Sequence, residues 1–230
     1  MNAGARKSDL GVRTLSAIVM LAVAGAALWL GGAAFTALVV LVALGVLWEF
    51  WGLIRGFAPS LPARLLWLIF AFIYVGLAAY ALWDIRTHWA SPIYWTLLLL
   101  LIVWATDIGA YFAGRAIGGP KIAPRISPSK TWAGLFGGIA ASMAIVAVMI
   151  VMYFNDLSAI SEKWWLIPAL GLPLPVIAQG GDFFESGLKR AAGVKDSGTL
   201  IPGHGGLFDR VDGLLAAAIF YVLYARGLAW

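Results

Sequence analysis

Residues 93–154 read IYWTLLLLLIVWATDIGAYFAGRAIGGPKIAPRISPSKTWAGLFGGIAASMAIVAVMIVMYF. Two apolar runs, 93–115 and 132–154, flank a loop of cations, hydroxyls, glycines and prolines. Each run is long enough to cross a bilayer core, which takes about 20 mostly apolar residues in a helix. Helix is the form such a run must adopt there, because hydrocarbon offers no partner to backbone N–H and C=O groups. Working outward, five further runs of the same kind lie near 12–30, 33–54, 64–83, 164–188 and 207–229. Of the 230 residues 62% are hydrophobic and 12% charged, where a soluble domain carries about 25% charged residues. The expected fold is all-α: a polytopic integral membrane protein of about seven transmembrane helices. It forms one membrane domain over 1–230, with N-terminal helices in 1–106 and the chemistry in 107–230.

Charge gives the expected orientation. With the N-terminus inside and the runs alternating, 13 of the 16 Lys and Arg fall on the inner side, leaving Arg86, Lys163 and Arg226 outside. Such a bias predicts N-in, C-out and cytoplasmic polar loops. Arg6, Lys7 and Arg13 before an apolar run resemble a secretory signal, but six more runs follow, so an uncleaved first helix is expected. Gly31-Gly32 predicts a tight first connection, and Pro168, Pro173 and Pro175 predict a kinked or divided sixth run. Most of the 12 tryptophans sit near run ends, as interface anchors do. There are no cysteines, which excludes disulfides and thiolate chemistry.

Chemistry concentrates in two inner loops and the helices that enter them. Ser186–Asp212, SGLKRAAGVKDSGTLIPGHGGLFDRVD, interleaves Lys189, Arg190, Lys195 and Arg210 with Asp196, Asp209 and Asp212 among glycines. Cations, carboxylates and glycines together suit a phosphate-plus-metal site. Upstream, Gln179, Asp182, Ser186 and Lys189 share one helix face. A carboxylate in an apolar helix is costly unless paired or bound to a cation, so Asp182 is a site candidate, or else an ion pair with Lys189. Asp182 and Asp209, from two helices, could hold one or two hard cations, with Asp212 beside them. His204, Gly205 and Gly206 precede them, the glycines admitting close backbone approach. In the other loop, Ser127, Ser129, Lys130 and Thr131 open a helix whose first N–H groups favour phosphate. Asp107, Tyr111, Gly114 and Arg115 form a polar stripe beside Gly109, Ala110 and Ala113, small residues that permit close helix approach. Asp107 lines a site or pairs with Arg115. Glu49 is adequately explained by pairing with Arg55 or Arg64. A transporter would also place acids in helices, but clustering of the polar groups at one face argues against it.

The run Ser186, Leu188, Lys189, Arg190, Lys195, Asp196, Gly198, Ile201, Pro202, His204, Gly205, Gly206, Leu207, Asp209, Arg210, Val211, Asp212 resembles the motif of the phosphatidate cytidylyltransferase (CDP-diacylglycerol synthase) family at every position. Asp107, Gly109, Ala110, Tyr111, Gly114, Arg115, then Ser127 to Trp132 and Gly134, are similar to that family's looser second motif. The first hundred or so residues match only in being hydrophobic. The resemblance implies a nucleotidyltransferase that converts CTP and phosphatidic acid to CDP-diacylglycerol and pyrophosphate. It implies Mg²⁺, with room for a second cation, held by Asp182, Asp209 and Asp212. Lys189, Arg190, Lys195, His204 and Arg210 would meet the phosphates. Ser127, Lys130, Thr131, Asp107, Gly205 and Gly206 would complete the nucleotide side. A homodimer is also implied, and the inward charge bias favours a bacterial inner membrane with the site facing the cytoplasm. Kindred CTP-using enzymes, a CDP-archaeol synthase or a polyprenol kinase, are the nearest alternatives.

Overall fold

The computed structural model describes the backbone of residues 3–227 and the side chains of 11–226. Arg6 and Lys7, two of the expected inner cations, have side chains outside the described residues, as does the tail of the run 207–229. The elements are α1 (Ala3–Leu30), α2 (Gly32–Phe57), α3 (Leu61–His88), α4 (Pro92–Ala116), β1 (Lys121–Ala123), β2 (Ser127–Thr131), α5 (Trp132–Phe154), α6 (Ala159–Lys163), α7 (Leu166–Gly171), α8 (Pro173–Ala191) and α9 (Phe208–Gly227). The protein is an all-α polytopic membrane protein.

Six segments among the described residues are long and apolar enough to cross a membrane, against the seven expected. The difference is α9, a helix where one was expected. Asp209, Arg210 and Asp212 in its opening turns and Arg226 in its last leave no uninterrupted apolar window of span length. The divided sixth run is confirmed. Pro173 has no N–H to continue a helix, and Leu172 closes α7 by donating to Pro168 O at 3.2 Å. The loop 117–131 contains a short antiparallel hairpin, β1 with β2, which the all-α expectation did not contain.

Large apolar side chains face outward: Leu15 is 64% exposed, Leu41 66%, Phe72 62% and Met152 70%. In water such a surface would aggregate; against lipid it is the solvated state. Trp29, Trp48 and Trp164 are likewise exposed, as anchors should be.

Residue contacts gather into two compact units: residues up to Thr87 with Leu188–Val211, and His88–Gly187 with residues from Asp212 on. In the first, Val46, Phe50, Leu53 and Ile54 of α2 and Ala71, Val75, Ala78 and Ile85 of α3 are buried. The tight α1–α2 connection has a specific cause. Gly31 lies at φ +63°, and the Arg86 guanidinium caps the end of α1, donating to Leu28 O at 2.8 and 3.0 Å. A Cβ on Gly31 would come within 2.5 Å of that guanidinium.

In the second unit, α4 and α5 pack at backbone distance. A Cβ on Gly109 would lie 2.5 Å from Gly137 O, and one on Gly138 2.9 Å from Thr106 O. The stripe of small residues thus does what was expected of it. A buried Thr106–Ser142 hydroxyl hydrogen bond of 2.8 Å ties the pair. The same device joins α8 to α9: a Cβ on Gly181 would sit 2.5 Å from Asp212 O, and one on Gly213 3.0 Å from Ala178 O.

Candidate active site

In the second unit, the end of α4, the hairpin and the start of α5 face α8 across a cavity of about 480 Å³. Asp107, Tyr111, Arg115, Lys130, Thr131 and Asp182 are among its lining residues. Lys130, at the end of β2, places its ammonium 2.5 Å from Asp182 Oδ2 and 4.9 Å from the centre of the Phe183 ring. Ser186 donates its hydroxyl to Asp182 Oδ1 at 3.3 Å. Asp182 interacts electrostatically with Asp107 and Asp212, and Lys130 acts on both of those acids. Acids of α4 and α8 thus line one cavity with this lysine. Helix spacing weighed an Asp182–Lys189 pair; Lys130 takes Asp182, and Lys189 takes Asp209. Nor does Arg115 serve Asp107: its Nη1 donates to the Tyr111 hydroxyl at 2.8 Å.

Thr131 has a structural duty as well. Its hydroxyl oxygen accepts from Gly134 N at 3.0 Å and caps α5, satisfying one of the free N–H groups of a helix start. Ser127 is buried at the start of β2 and does not line the cavity.

The first unit holds the rest of the predicted site. Asp209, at the second residue of α9, is largely buried and fully engaged. Lys189 Nζ lies 2.6 Å from its Oδ1. Its Oδ2 accepts from Ser197 N at 2.9 Å, Ser197 Oγ at 3.0 Å and Gly206 N at 3.0 Å. Asp209, expected to hold a metal, ties the loop from Ser197 to Gly206 through these bonds. The loop is pinned elsewhere too. Arg13 Nε donates to Gly203 O at 2.9 Å and Ser16 Oγ to Pro202 O at 2.8 Å. Arg210 Nη2 donates to His204 O at 2.6 Å. Arg190 and Lys195 are exposed. His204 Nδ1 is buried and has no hydrogen-bond partner among the described residues. Gly205 lies at φ +82°, a conformation glycine permits. Gly206 is approached by protein: its Cβ would fall 2.7 Å from a Glu49 carboxylate oxygen.

Glu49 is what sequence reasoning missed. Its partners are not Arg55, which lies over the Trp51 ring, or Arg64, which donates to Ala58 O. Glu49 is 3% exposed and accepts from Ser197 Oγ at 3.0 Å, Leu207 N at 3.0 Å and Phe208 N at 2.8 Å.

Among the described residues no three His, Asp or Glu side chains form a ready-made metal cage. Mg²⁺ seldom needs one: it is held by one or two carboxylates together with water and substrate phosphate. Asp107 and Asp182, which line the cavity, are hard oxygen donors of the kind such an ion takes.

The comparisons with known proteins agree with this chemistry. The pattern of the cytidylyltransferase family matches residues 60–228. A phosphatidate cytidylyltransferase of Brucella suis is 36% identical over 262 aligned residues, covering 94% of this chain and 93% of the relative. One of Rickettsia bellii is 35% identical over 222, covering 94% and 92%. One of Haemophilus influenzae is 43% identical over 141, covering 58% and 48%.

Proposed function

The chain belongs to the cytidylyltransferase family, and on that ground we propose that this membrane nucleotidyltransferase joins CTP to phosphatidic acid. The relatives that match nearly its whole length carry that activity in their names, and this is the observation that bears most weight. A phosphate oxygen of the lipid attacks the α-phosphorus of CTP. A P–O bond forms there, the bond from the α-phosphorus to the β-phosphate oxygen breaks, and pyrophosphate leaves. CDP-diacylglycerol is the product. Phosphatidate is already anionic at neutral pH, so no base is required, and catalysis is positioning and charge neutralisation.

The roles follow from the groups present. Asp182 and Asp212, with Asp107 beside them, would hold Mg²⁺, which supplies charge neutralisation on the phosphates. Lys130 is the cation already set among these acids and serves the nucleotide phosphates. Lys189, Arg190, Lys195, His204 and Arg210 serve the remaining phosphate charge. Asp209, with its oxygens engaged, keeps Lys189 and the loop in place. The bias of 13 inner to 3 outer cations supports a cytoplasmic site in a bacterial inner membrane. A second copy of the chain is the proposed partner.

The test is CTP-dependent formation of CDP-diacylglycerol by purified protein in micelles containing phosphatidic acid, with Mg²⁺ present or chelated. Product that requires Mg²⁺ is the expected result. A folded protein that binds CTP but makes no product overturns the lipid acceptor. A folded protein that does not bind CTP overturns the reading as a whole.

A further inference from the structure

Glu49 sits on α2, within the stretch that resembles no motif, and it is that helix's single acid. Three donors converge on it, from the loop that carries Lys195 and His204 and from the first residue of α9. Leu207 N and Phe208 N are amides at the start of α9, so Glu49 supplies an acceptor charge where the helix dipole favours one. Ser197 Oγ, the third, stands 3.0 Å from Glu49 Oε2 and 3.0 Å from Asp209 Oδ2. One hydroxyl therefore joins Glu49 to the acid that holds Lys189.

Two motif glycines are shaped around this side chain. A Cβ on Gly198 would approach Glu49 Cγ at 2.8 Å, and one on Gly206 would lie 2.7 Å from Glu49 Oε2 and from Gly198 N. Neighbouring turns of α2 complete the template. A Cβ on Gly45 would meet Leu207 at 2.6 Å, Phe50 stacks on Phe208 at 5.4 Å, and a Cβ on Gly56 would touch Ala192 at 3.0 Å. Positions 45, 49 and 56 share one helix face, and the loop is moulded along it.

We propose that Glu49 is a positioning residue for the transfer reaction, fixing the Asp209–Lys189 pair through Ser197 and the first amides of α9. Glu49 touches no reacting atom in this assignment. It sets where Lys189 stands when phosphate charge develops. The inference rests on the reading of the chain as a cytidylyltransferase.

The experiment measures kcat and KM for CTP and for phosphatidic acid in Glu49→Gln, Glu49→Asp, Ser197→Ala and the Glu49→Gln/Ser197→Ala double variant. Thermal melting in detergent is followed for each. Gln keeps the size but loses one acceptor oxygen and the charge; Asp keeps both acceptor oxygens on a shorter arm. The expected result is a fall in kcat of about 10–100-fold for Glu49→Gln, the usual scale for groups supporting a reacting ligand. KM for the lipid should stay within about twofold, and Glu49→Asp should recover part of the loss. The double variant should be no worse than the poorer single one, because the two residues act as a unit. Wild-type turnover with an unchanged Glu49→Gln kcat overturns the inference alone. A loss of kcat that follows melting temperature across the series, with no recovery by Asp, reduces Glu49 to a stability role and also overturns it. Absence of wild-type turnover would instead sink the reading on which the inference rests.

Discussion

Asp182 carries a lysine at 2.5 Å and two further acids within electrostatic range, so its charge is in use before any substrate arrives. Asp182→Asn removes that charge and keeps the size. Turnover should fall about 10–100-fold and the Mg²⁺ requirement should shift to higher concentration, read by titrating Mg²⁺ at saturating CTP. Gly206→Ala makes a different point. Its Cβ would meet a carboxylate oxygen and a backbone nitrogen, and overpacking of this kind costs about 1–3 kcal/mol; a lowered melting temperature in detergent would show it. Sequence alone marks Asp107 and Asp182, because each is a charge set among hydrocarbon, and Asp209 and Asp212, because they stand in a run of cations and glycines. It does not mark Glu49. Arg55 and Arg64 stand close by in the chain and offer a local partner, while the real donors lie 148 to 159 residues further on. Nor does spacing alone decide which lysine takes which acid. Helix periodicity matches Asp182 to Lys189, whereas a hairpin brings in Lys130.

At the scale of elements, α4 and α5 act as one piece because glycines remove the side chains that would separate them. Gly109→Ala drives a Cβ against the carbonyl of Gly137 and against Ala141 Cβ, and a carbonyl in a helix cannot turn away. A loss of about 1–3 kcal/mol is expected, visible as earlier thermal aggregation of the micellar protein. Thr131→Ala removes the cap of α5 and should lower stability by about 0.5–2 kcal/mol, with activity falling as well because Lys130 adjoins the cap. The helices were readable from length and apolarity. The hairpin was not, since three- and five-residue strands fall below any periodic signal, and loop 117–131 has too few apolar residues to alternate. The first helical turns of α9 were legible as chemistry, and the same charges keep α9 from reading as a span by apolarity alone.

For the whole molecule the open prediction is sidedness. The chain has no cysteine, so single cysteines at Ser161 and at Thr199 can be labelled in intact cells with an impermeant maleimide. Labelling of the Ser161 site alone is expected if the loop before α9 faces the cytoplasm; labelling of Thr199 alone would invert the orientation. The resemblance was readable because its motif is dense in residues whose chemistry restricts substitution. The first two helices lie outside that motif, which is why they look replaceable on the page. The family pattern begins at residue 60, and a minimal catalytic fragment cut at that point would seem reasonable. Such a fragment would lack α1 and α2, and so would leave Leu207, Phe208 and Ser197 without their shared acceptor and Phe208 without the ring it stacks on. The stretch with the least recognisable sequence is the mould in which the most recognisable one is cast.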